Sequence, residues 1–236
     1  DRPEPVSKRV EPKYLDPVYL DTTSLALDRV RLELGRMGRL VEQMLFTGPQ
    51  VVISGSRGEL EKVVAQDHDV DRLHVAILEY VRKLGQNELT VSDSKRIEDL
   101  IYVANHLETM GDLIKTNLVT QGLHRLEKDL QFSPQTQEIV RPLAEYIAKA
   151  ATDALQAFET DDAELATSVV TTKPEFKRLT QEALEHLGER LLAAEPSRVE
   201  LFRIESEIIS HMRRIYDNAR RIAKRVATQA KSSKSE

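Results

Sequence analysis

Apolar residues spaced three and four positions apart run through most of this 236-residue chain, and this spacing restricts its possible folds more than any other feature. The stretch from Thr23 to Phe46 shows the pattern most clearly. Its apolar positions are Leu27, Val30, Leu34, Met37, Val41 and Met44. Because residues at this spacing share one face of an α-helix, the stretch predicts a long amphipathic helix. With only 9 Gly and 5% aromatic residues, the composition also favours helices over strands.

The same reasoning predicts six long helices joined by short breaks. They cover approximately 23–46, 57–84, 92–119, 134–158, 161–192 and 196–227. Ser92 and Ser133 are the expected N-caps of the third and fourth helices, and Pro134 suits a first helical position. Pro174 lies inside the fifth helix, where we expect it to kink the helix or to start a new one. Long helices with short connections predict an all-α bundle protein.

The chain also repeats itself. The segment "DRLHVAILEYV" from Asp71 matches "KRLTQEALEHL" from Lys177, and "HLETMGDLIKTNL" from His106 matches "HMRRIYDNARRIA" from His211. The two matches have nearly the same offset along the chain. We therefore predict two tandem three-helix bundles related by internal duplication, at about 23–119 and 134–227.

The two ends of the chain have a different character from the body. Residues 1–22 are polar and rich in proline, and they predict a linker that docks on the body. Its anchoring side chains are expected to be Tyr14, Leu15, Tyr19 and Leu20. Residues 228–236 predict a disordered tail. Because the chain starts without a methionine, we expect it to be a piece excised from a longer protein.

Composition and motif content exclude several classes of protein. The net charge of −5 argues against general nucleic-acid binding, and the absence of cysteine excludes disulfides and thiolate metal sites. No run of about 18 apolar residues is present, so we expect no membrane-spanning helix. The usual nucleotide-binding, metalloprotease and serine-hydrolase motifs are also absent. The sequence therefore carries no motif of these enzyme classes.

Four carboxylates interrupt this apolar pattern. Asp67 and Asp71 are one turn apart on the second helix, and Glu108 and Asp112 are one turn apart on the third. Both pairs lie at the edge of an apolar stripe, so antiparallel packing would bring all four together. Such a cluster needs protonation, basic partners or a bound cation. Oxygen ligands favour Mg, Mn, Ca or Fe, although solvent-exposed acidic pairs are the simpler alternative.

The second repeat reverses the sign of this cluster. Lys173 and Lys177 stand where the second helix has its aspartates, and Arg213 stands opposite Glu108. Of the four acidic positions, only the one equivalent to Asp112 stays acidic, as Asp217. We expect the second half to lack a cation site and to hold an ion-pair cluster of Lys177, Arg213 and Asp217 instead.

The segments "QDHDVDRL" and "NHLETMGDLIKTNL" resemble the signature of PhoU-like phosphate-uptake regulators. In that family, acidic motifs on paired helices of each bundle bind multinuclear iron or other divalent metals. The resemblance implies a divalent or trivalent metal ion (Fe, Mn, Mg or Zn) at Asp67, Asp71, Glu108 and Asp112. Because Lys173, Lys177 and Arg213 break the motif, it implies no metal in the second half.

The segment "YLDPVYLDTTSLALDRVRLELGRMGRL" is similar to the connection between the membrane part of bacterial Na/Pi cotransporter-family proteins and their C-terminal PhoU-like domain. This resemblance implies a cytoplasmic domain at the inner face of the plasma membrane that regulates phosphate transport and is not an enzyme. Its partner would be the transporter's membrane domain, in cis or in trans. A second copy of the chain is a further candidate partner.

Other functions stay open at this stage. One is a free-standing PhoU-type negative regulator of phosphate uptake, and another is a structural dimerisation scaffold without metal. A di-metal carboxylate enzyme ranks last, because the motif positions carry no Glu-x-x-His. Arginine and lysine near the end of the last helix, from Arg213 to Arg225, fit a solvated face or a surface for an anionic partner.

Overall fold

The computed structural model describes residues 10–192 and 197–232, with side chains up to 229. These residues form eight α-helices and contain no strand, which confirms the all-α prediction. The helices are α1 (Thr23–Ser54), α2 (Arg57–Leu84), α3 (Val91–Asp112), α4 (Val119–Glu127), α5 (Pro134–Thr160), α6 (Ala163–Thr171), α7 (Lys173–Leu191) and α8 (Arg198–Ser232). A π-helical segment, Leu113–Leu118, joins α3 to α4, and Pro17–Tyr19 forms a short 3₁₀-helix.

The predicted end of the first helix at Phe46 was wrong. Helix α1 continues through Pro49 to Ser54. Proline costs a helix one backbone hydrogen bond and some steric strain. Here the last turns bury Val52 completely and Ile53 almost completely, and this apolar burial offsets the local cost.

The third helix also differs from its prediction at both ends. Its N-cap is Thr90, which forms a capping box with Asp93, so Ser92 lies within the first turn. The helical path does not stop at Val119 but passes through the π-helical segment into α4. The fifth predicted helix is two helices, because α6 ends at Thr171 and α7 starts just before Pro174.

The two halves share one apolar core. Helix α1 packs against α2, α3 and α5, while α8 packs against α3, α5, α6 and α7. The buried side chains of all these helices form a single continuous cluster. The boundaries predicted for the two bundles, 23–119 and 134–227, stay a prediction. No helix of the described part is long and apolar enough to cross a membrane.

Residues 10–22 lie across the first half, and a buried glutamate holds them there. Glu33 is completely buried, and its carboxylate accepts the backbone N–H groups of Lys13 (2.8 Å) and Tyr14 (2.7 Å). Leu15 and Leu20 pack on the core as predicted. The sequence alone does not reveal the role of Glu33, because a lone acid on an apolar stripe gives no sign that it binds backbone amides. The predicted linker residues 1–9 and tail residues 233–236 lie outside the described residues, and α8 includes 228–232.

Candidate functional site

Helices α2 and α3 run antiparallel and bring the predicted carboxylates together. His74 on α2 lies 3.0 Å from the amide oxygen of Asn105 on α3. Seven residues earlier on α2, Asp67 lies beside Gly111, where an added Cβ would be 2.5 Å from its Oδ1 atom. The close approach of the helices at this glycine places Asp67 in the seam, as the spacing of the motifs predicts.

Lys115 supplies a cation within this cluster. Its ammonium forms an ion pair with Asp67, and it lies 3.3 Å from Oδ2 of Asp71 and 3.3 Å from Oδ1 of Asp112. Lys115 was not among the predicted site residues, although it follows Asp112 by three residues, the spacing of a helical ion pair. One ammonium therefore contacts three of the four acids. Glu108 completes the group beside Asp112.

Burial distinguishes Asp67 from Asp71 and Asp112. The side chain of Asp67 is 1% exposed, whereas those of Asp71 and Asp112 are 41% and 48% exposed. Burial raises the pKa of Asp67, and the hydrogen bond from Lys115 offsets this only in part. Oδ1 of Asp67 is sealed from solvent and has no hydrogen-bond partner among the described residues. A buried carboxylate oxygen without a donor is costly.

The four acidic groups of the cluster carry more negative charge than the ammonium of Lys115 can neutralise. Burial raises the pKa of Glu108, and the negative charge of Asp112 raises it further. Burial by itself lowers the pKa of Lys115, but its bonds to Asp67 and the charge of Asp71 outweigh burial and raise that pKa. Lys115 thus stays protonated, and one positive charge faces four acidic groups.

The donor set suits a hard cation, but Lys115 stands at its centre. Carboxylate oxygens are the donors that Mg²⁺ or Mn²⁺ prefers, and four carboxylates lie here, one of which has the unpartnered Oδ1 atom of Asp67. In the described part of the chain, no three His, Asp or Glu side chains form a metal-holding group, and the ammonium of Lys115 contacts three of the four carboxylates. A metal at these residues would need Lys115 to move away. The metal site stays a prediction.

The second half lacks the predicted ion-pair cluster. Asp217 lies 4.0 Å from Arg220, one turn along α8, and among the described residues it makes no ion pair with Lys177 or Arg213. Lys177 and Arg213 are both exposed. Between them, the rings of Phe176 and Tyr216 stack with centroids 3.8 Å apart. Aromatic packing therefore fills the seam between α7 and α8, and the basic side chains extend into solvent.

Comparison with known proteins places these observations in a family. The model of the PhoU domain matches residues 34–117 and again residues 140–226. The chain is 34% identical over 115 residues to a putative inorganic phosphate export protein, YjbB, of Salmonella typhimurium, a match that covers 49% of this chain and 21% of that protein. It thus spans about a fifth of the length of that relative.

A second relative matches along most of its length. The PhoU homologue of Pseudomonas putida, a phosphate-specific transport system accessory protein, is 28% identical over 203 residues, which cover 85% of this chain and 77% of the homologue. The crystal structure of PhoU from Pseudomonas aeruginosa superposes with a TM-score of 0.79 at 26% identity and covers 87% of this chain and 97% of that one. The arrangement of helices is therefore that of the crystallised protein.

Proposed function

Because the chain belongs to the PhoU domain family, we propose that it regulates phosphate transport by acting on a membrane phosphate transporter, without catalysis of its own. The observation that carries the proposal is the family match in both halves, at 34–117 and 140–226. The names of the relatives support it, since one is an accessory protein of a phosphate transport system and another a putative phosphate exporter.

Phosphate flux in the host cell tests this proposal. In-frame deletion of the segment that encodes residues 23–227 should change the uptake or efflux of radiolabelled phosphate, and expression of the wild-type segment should restore it. The parent cells must first be shown to contain the folded protein. If the deletion strain then has the same phosphate flux as the parent cells, the result would contradict regulation. That result would favour the structural scaffold.

We favour a PhoU-type negative regulator that acts on a separate transporter. The alignment with an accessory PhoU homologue over 203 residues supports this form. The second candidate is the cytoplasmic domain of a sodium-dependent phosphate cotransporter. The higher identity to a much longer phosphate export protein supports that candidate.

Fractionation of host cells separates these two forms. An antibody against the chain should detect a soluble polypeptide close to the chain's own mass if the regulator acts on a separate transporter. A longer polypeptide that sediments with membranes and resists extraction by salt would instead identify the fused cotransporter form.

We also propose that Asp67, Asp71, Glu108 and Asp112 hold a divalent or trivalent metal ion. The all-oxygen donor set and the unpartnered Oδ1 of Asp67 support the proposal. Elemental analysis of purified protein should find metal in the wild type and less in the Asp71→Ala/Asp112→Ala variant. Equal metal content in the two proteins would contradict it.

An exposed set of basic side chains supports a position close to the membrane. This basic surface comprises Lys173 and Lys177 on α7 and Arg213, Arg214, Arg221 and Lys224 on α8, all exposed. None of them forms an ion pair within the described part of the chain. Anionic lipid headgroups attract such residues by about 1 kcal/mol each. We therefore propose that the regulator acts at the inner face of the plasma membrane.

Vesicle sedimentation tests this placement. The chain should sediment with phosphatidylserine vesicles at low salt but not with phosphatidylcholine vesicles, and Arg213→Gln/Arg214→Gln should weaken sedimentation. Arg178→Gln is the control, because Arg178 is paired with Glu175 and Glu182. If both variants sediment as the wild type does, the basic surface does not bind the membrane.

A further inference from the structure

A buried carboxylate on α1 binds the main chain of the segment that lies across it. Glu33 is completely buried, and its Oε2 atom accepts the backbone N–H groups of Lys13 at 2.8 Å and Tyr14 at 2.7 Å. Arg36, one turn further along α1, is paired with Glu33 and donates to the carbonyl oxygen of Glu11 at 3.1 Å. Two adjacent N–H groups on one anion are the arrangement found in backbone anion-binding turns.

The bound segment and the residue that holds it differ in burial. Residues 10–15, which we call the strap, are all exposed or half-buried, and their apolar anchors Val10 and Leu15 are only partly buried against the core. Glu33 has no exposed surface. Release of the strap would therefore uncover little apolar surface, but it would leave the buried carboxylate without two of its donors. A superficial segment on a buried, charged holder is the arrangement expected of a ligand on its site.

The strap ends where the chain is fixed to the body. The carbonyl oxygen of Asp16 accepts the hydroxyl group of Tyr80 at 3.0 Å, and the residues that follow form the 3₁₀-helix that leads into α1. Ahead of Asp16, the main chain of the strap makes one further bond to the described part of the body. This bond is long, at 3.5 Å between the N atom of Val10 and Oδ1 of Asp69. The strap can therefore leave α1 while the turn into α1 stays in place.

Recognition of the strap does not depend on its side chains. The bonds to Glu33 and Arg36 use two N–H groups and one carbonyl group of the main chain. The side chain of Lys13 faces the ring of Tyr14 within the strap itself. The PhoU domain model begins at residue 34, so the strap lies outside the matched range. Another segment with the same main-chain shape would satisfy the same site.

We propose that Glu33 and Arg36 form a peptide-binding site, that the strap is its tethered occupant, and that a segment of a partner protein displaces the strap. The ligand is a bent segment that presents two adjacent backbone N–H groups on one side, followed by a leucine-sized apolar side chain. The strap of a second copy fits less well, because the 3₁₀-helix joins each strap to its own α1 without a free linker. The site is independent of the acidic cluster between α2 and α3.

A fluorescein-labelled peptide with the sequence of residues 10–16 tests the exchange by fluorescence anisotropy. The wild type should bind it weakly, because the tethered strap competes at a high effective concentration. Lys13→Pro/Tyr14→Pro in the full chain removes both N–H donors of the strap and leaves Glu33 in place. This variant should bind the peptide at least about 10-fold more tightly than the wild type. Glu11→Pro is the matched control and should bind as the wild type does, because the N–H group of Glu11 donates to no group of the described residues.

A modified peptide and two further variants identify the contacts. A peptide with N-methyl groups at the positions of Lys13 and Tyr14 keeps both side chains but lacks both donors, so the proline variant should not bind it. Addition of Glu33→Gln to the proline variant should also abolish binding of the unmodified peptide. Circular dichroism must first show that each protein is folded. Lys13→Pro alone removes one donor and keeps the tyrosine, and it should give a smaller gain in affinity in the same direction.

Three results would overturn the proposal. Equal affinity of the peptide for the wild type and the folded proline variants would show that the strap is a fixed part of the fold. Equal binding of the methylated and unmethylated peptides would show that Glu33 does not recognise the main chain. A wild-type dimer that the peptide dissociates would show that the exchanged segment is the strap of a second copy and not a segment of another protein. The effect of the chain on phosphate flux is still decided by the deletion experiment.

Discussion

Asp67 combines a charged side chain with complete burial, and its neighbours explain how the fold accepts it. Lys115 binds one carboxylate oxygen, and Gly111 gives the carboxylate room on the opposing helix. The spacing of acidic residues predicted that Asp67 would lie in the seam. The spacing of a helical ion pair links Lys115 to Asp112, but it does not predict the contact of Lys115 with Asp67, because that contact depends on how α2 packs against the π-helical segment.

Gly111→Ala is expected to destabilise the protein although alanine is the better helix former. An added Cβ would lie 2.5 Å from Oδ1 of Asp67, so the carboxylate must move away from its position beside Lys115. Overpacking of this kind typically costs about 1–3 kcal/mol. The free energy of unfolding, measured in urea, should fall by about that amount.

Gly188 is the matched control for this substitution. It also lies inside a helix, α7, but a Cβ at Gly188 would meet no atom within 4 Å. Gly188→Ala should therefore stabilise the protein by about 0.5–1 kcal/mol. Equal effects of the two substitutions would show that Asp67 does not occupy the space beside Gly111.

Arg125 on α4 explains how α1 ends inside the protein. Its guanidinium donates to the carbonyl oxygen of Val52 at 3.1 Å and to that of Gly55. The carbonyl group of Val52 belongs to the last turn of α1, where helical partners are missing, and that of Gly55 lies just beyond the end of the helix. The apolar spacing could not predict that α1 continues past Pro49, because it contains no information about a donor from a distant helix.

Arg125→Met should lower the free energy of unfolding by about 2–4 kcal/mol. Methionine keeps most of the apolar contact but leaves the buried carbonyl group of Val52 and the half-buried one of Gly55 without this donor. A buried group without a donor costs about 1–3 kcal/mol. Arg178→Met removes an arginine that makes only exposed ion pairs, and it should change stability by less than about 0.5 kcal/mol. A small effect of Arg125→Met would show that α1 needs no cap from α4.

The contact between α3 and α8 should make stability depend on pH. Nδ1 of His106 lies 2.7 Å from Oδ1 of Asn218 on α8. Burial lowers the pKa of His106 below its usual value of 6.5, and the bond to Asn218 offsets this in part. The unfolded chain therefore takes up a proton at a higher pH than the folded protein does. Stability is retained above pH 6.5 and falls as the pH drops below that value.

The difference in unfolding free energy between wild type and His106→Gln isolates this effect. The difference should shift against the wild type as the pH falls from 7 to 5, because the unfolded wild-type chain takes up a proton at His106 more readily than the folded protein does. His211→Gln is a necessary parallel variant, because burial also lowers the pKa of His211. A difference that is the same at both pH values would mean that His106 titrates as in the unfolded chain.

The two halves of the molecule share one fold and carry opposite charges at equivalent positions. The repeat in the sequence aligns Asp67 and Asp71 with Lys173 and Lys177 and so reveals a reversal of charge. It did not predict that the basic residues stay exposed, because that depends on how Phe176 and Tyr216 pack between α7 and α8. The spacing of apolar residues predicts the helices, and the acids that interrupt it predict the acidic seam. The cap from Arg125, the cation partner Lys115 and the shared core depend on contacts between distant segments and could not be predicted in this way.

Phosphate flux in host cells that carry Asp71→Asn/Asp112→Asn tests most directly whether the acidic seam is the working part of a phosphate-transport regulator. Both side chains are half-exposed, so the variant should fold, and Glu175→Gln/Glu182→Gln on α7 is its control. The variant should reproduce the flux of the deletion strain, while the control restores wild-type flux. Wild-type flux in cells with the folded Asp71→Asn/Asp112→Asn protein would contradict a role of these carboxylates in regulation.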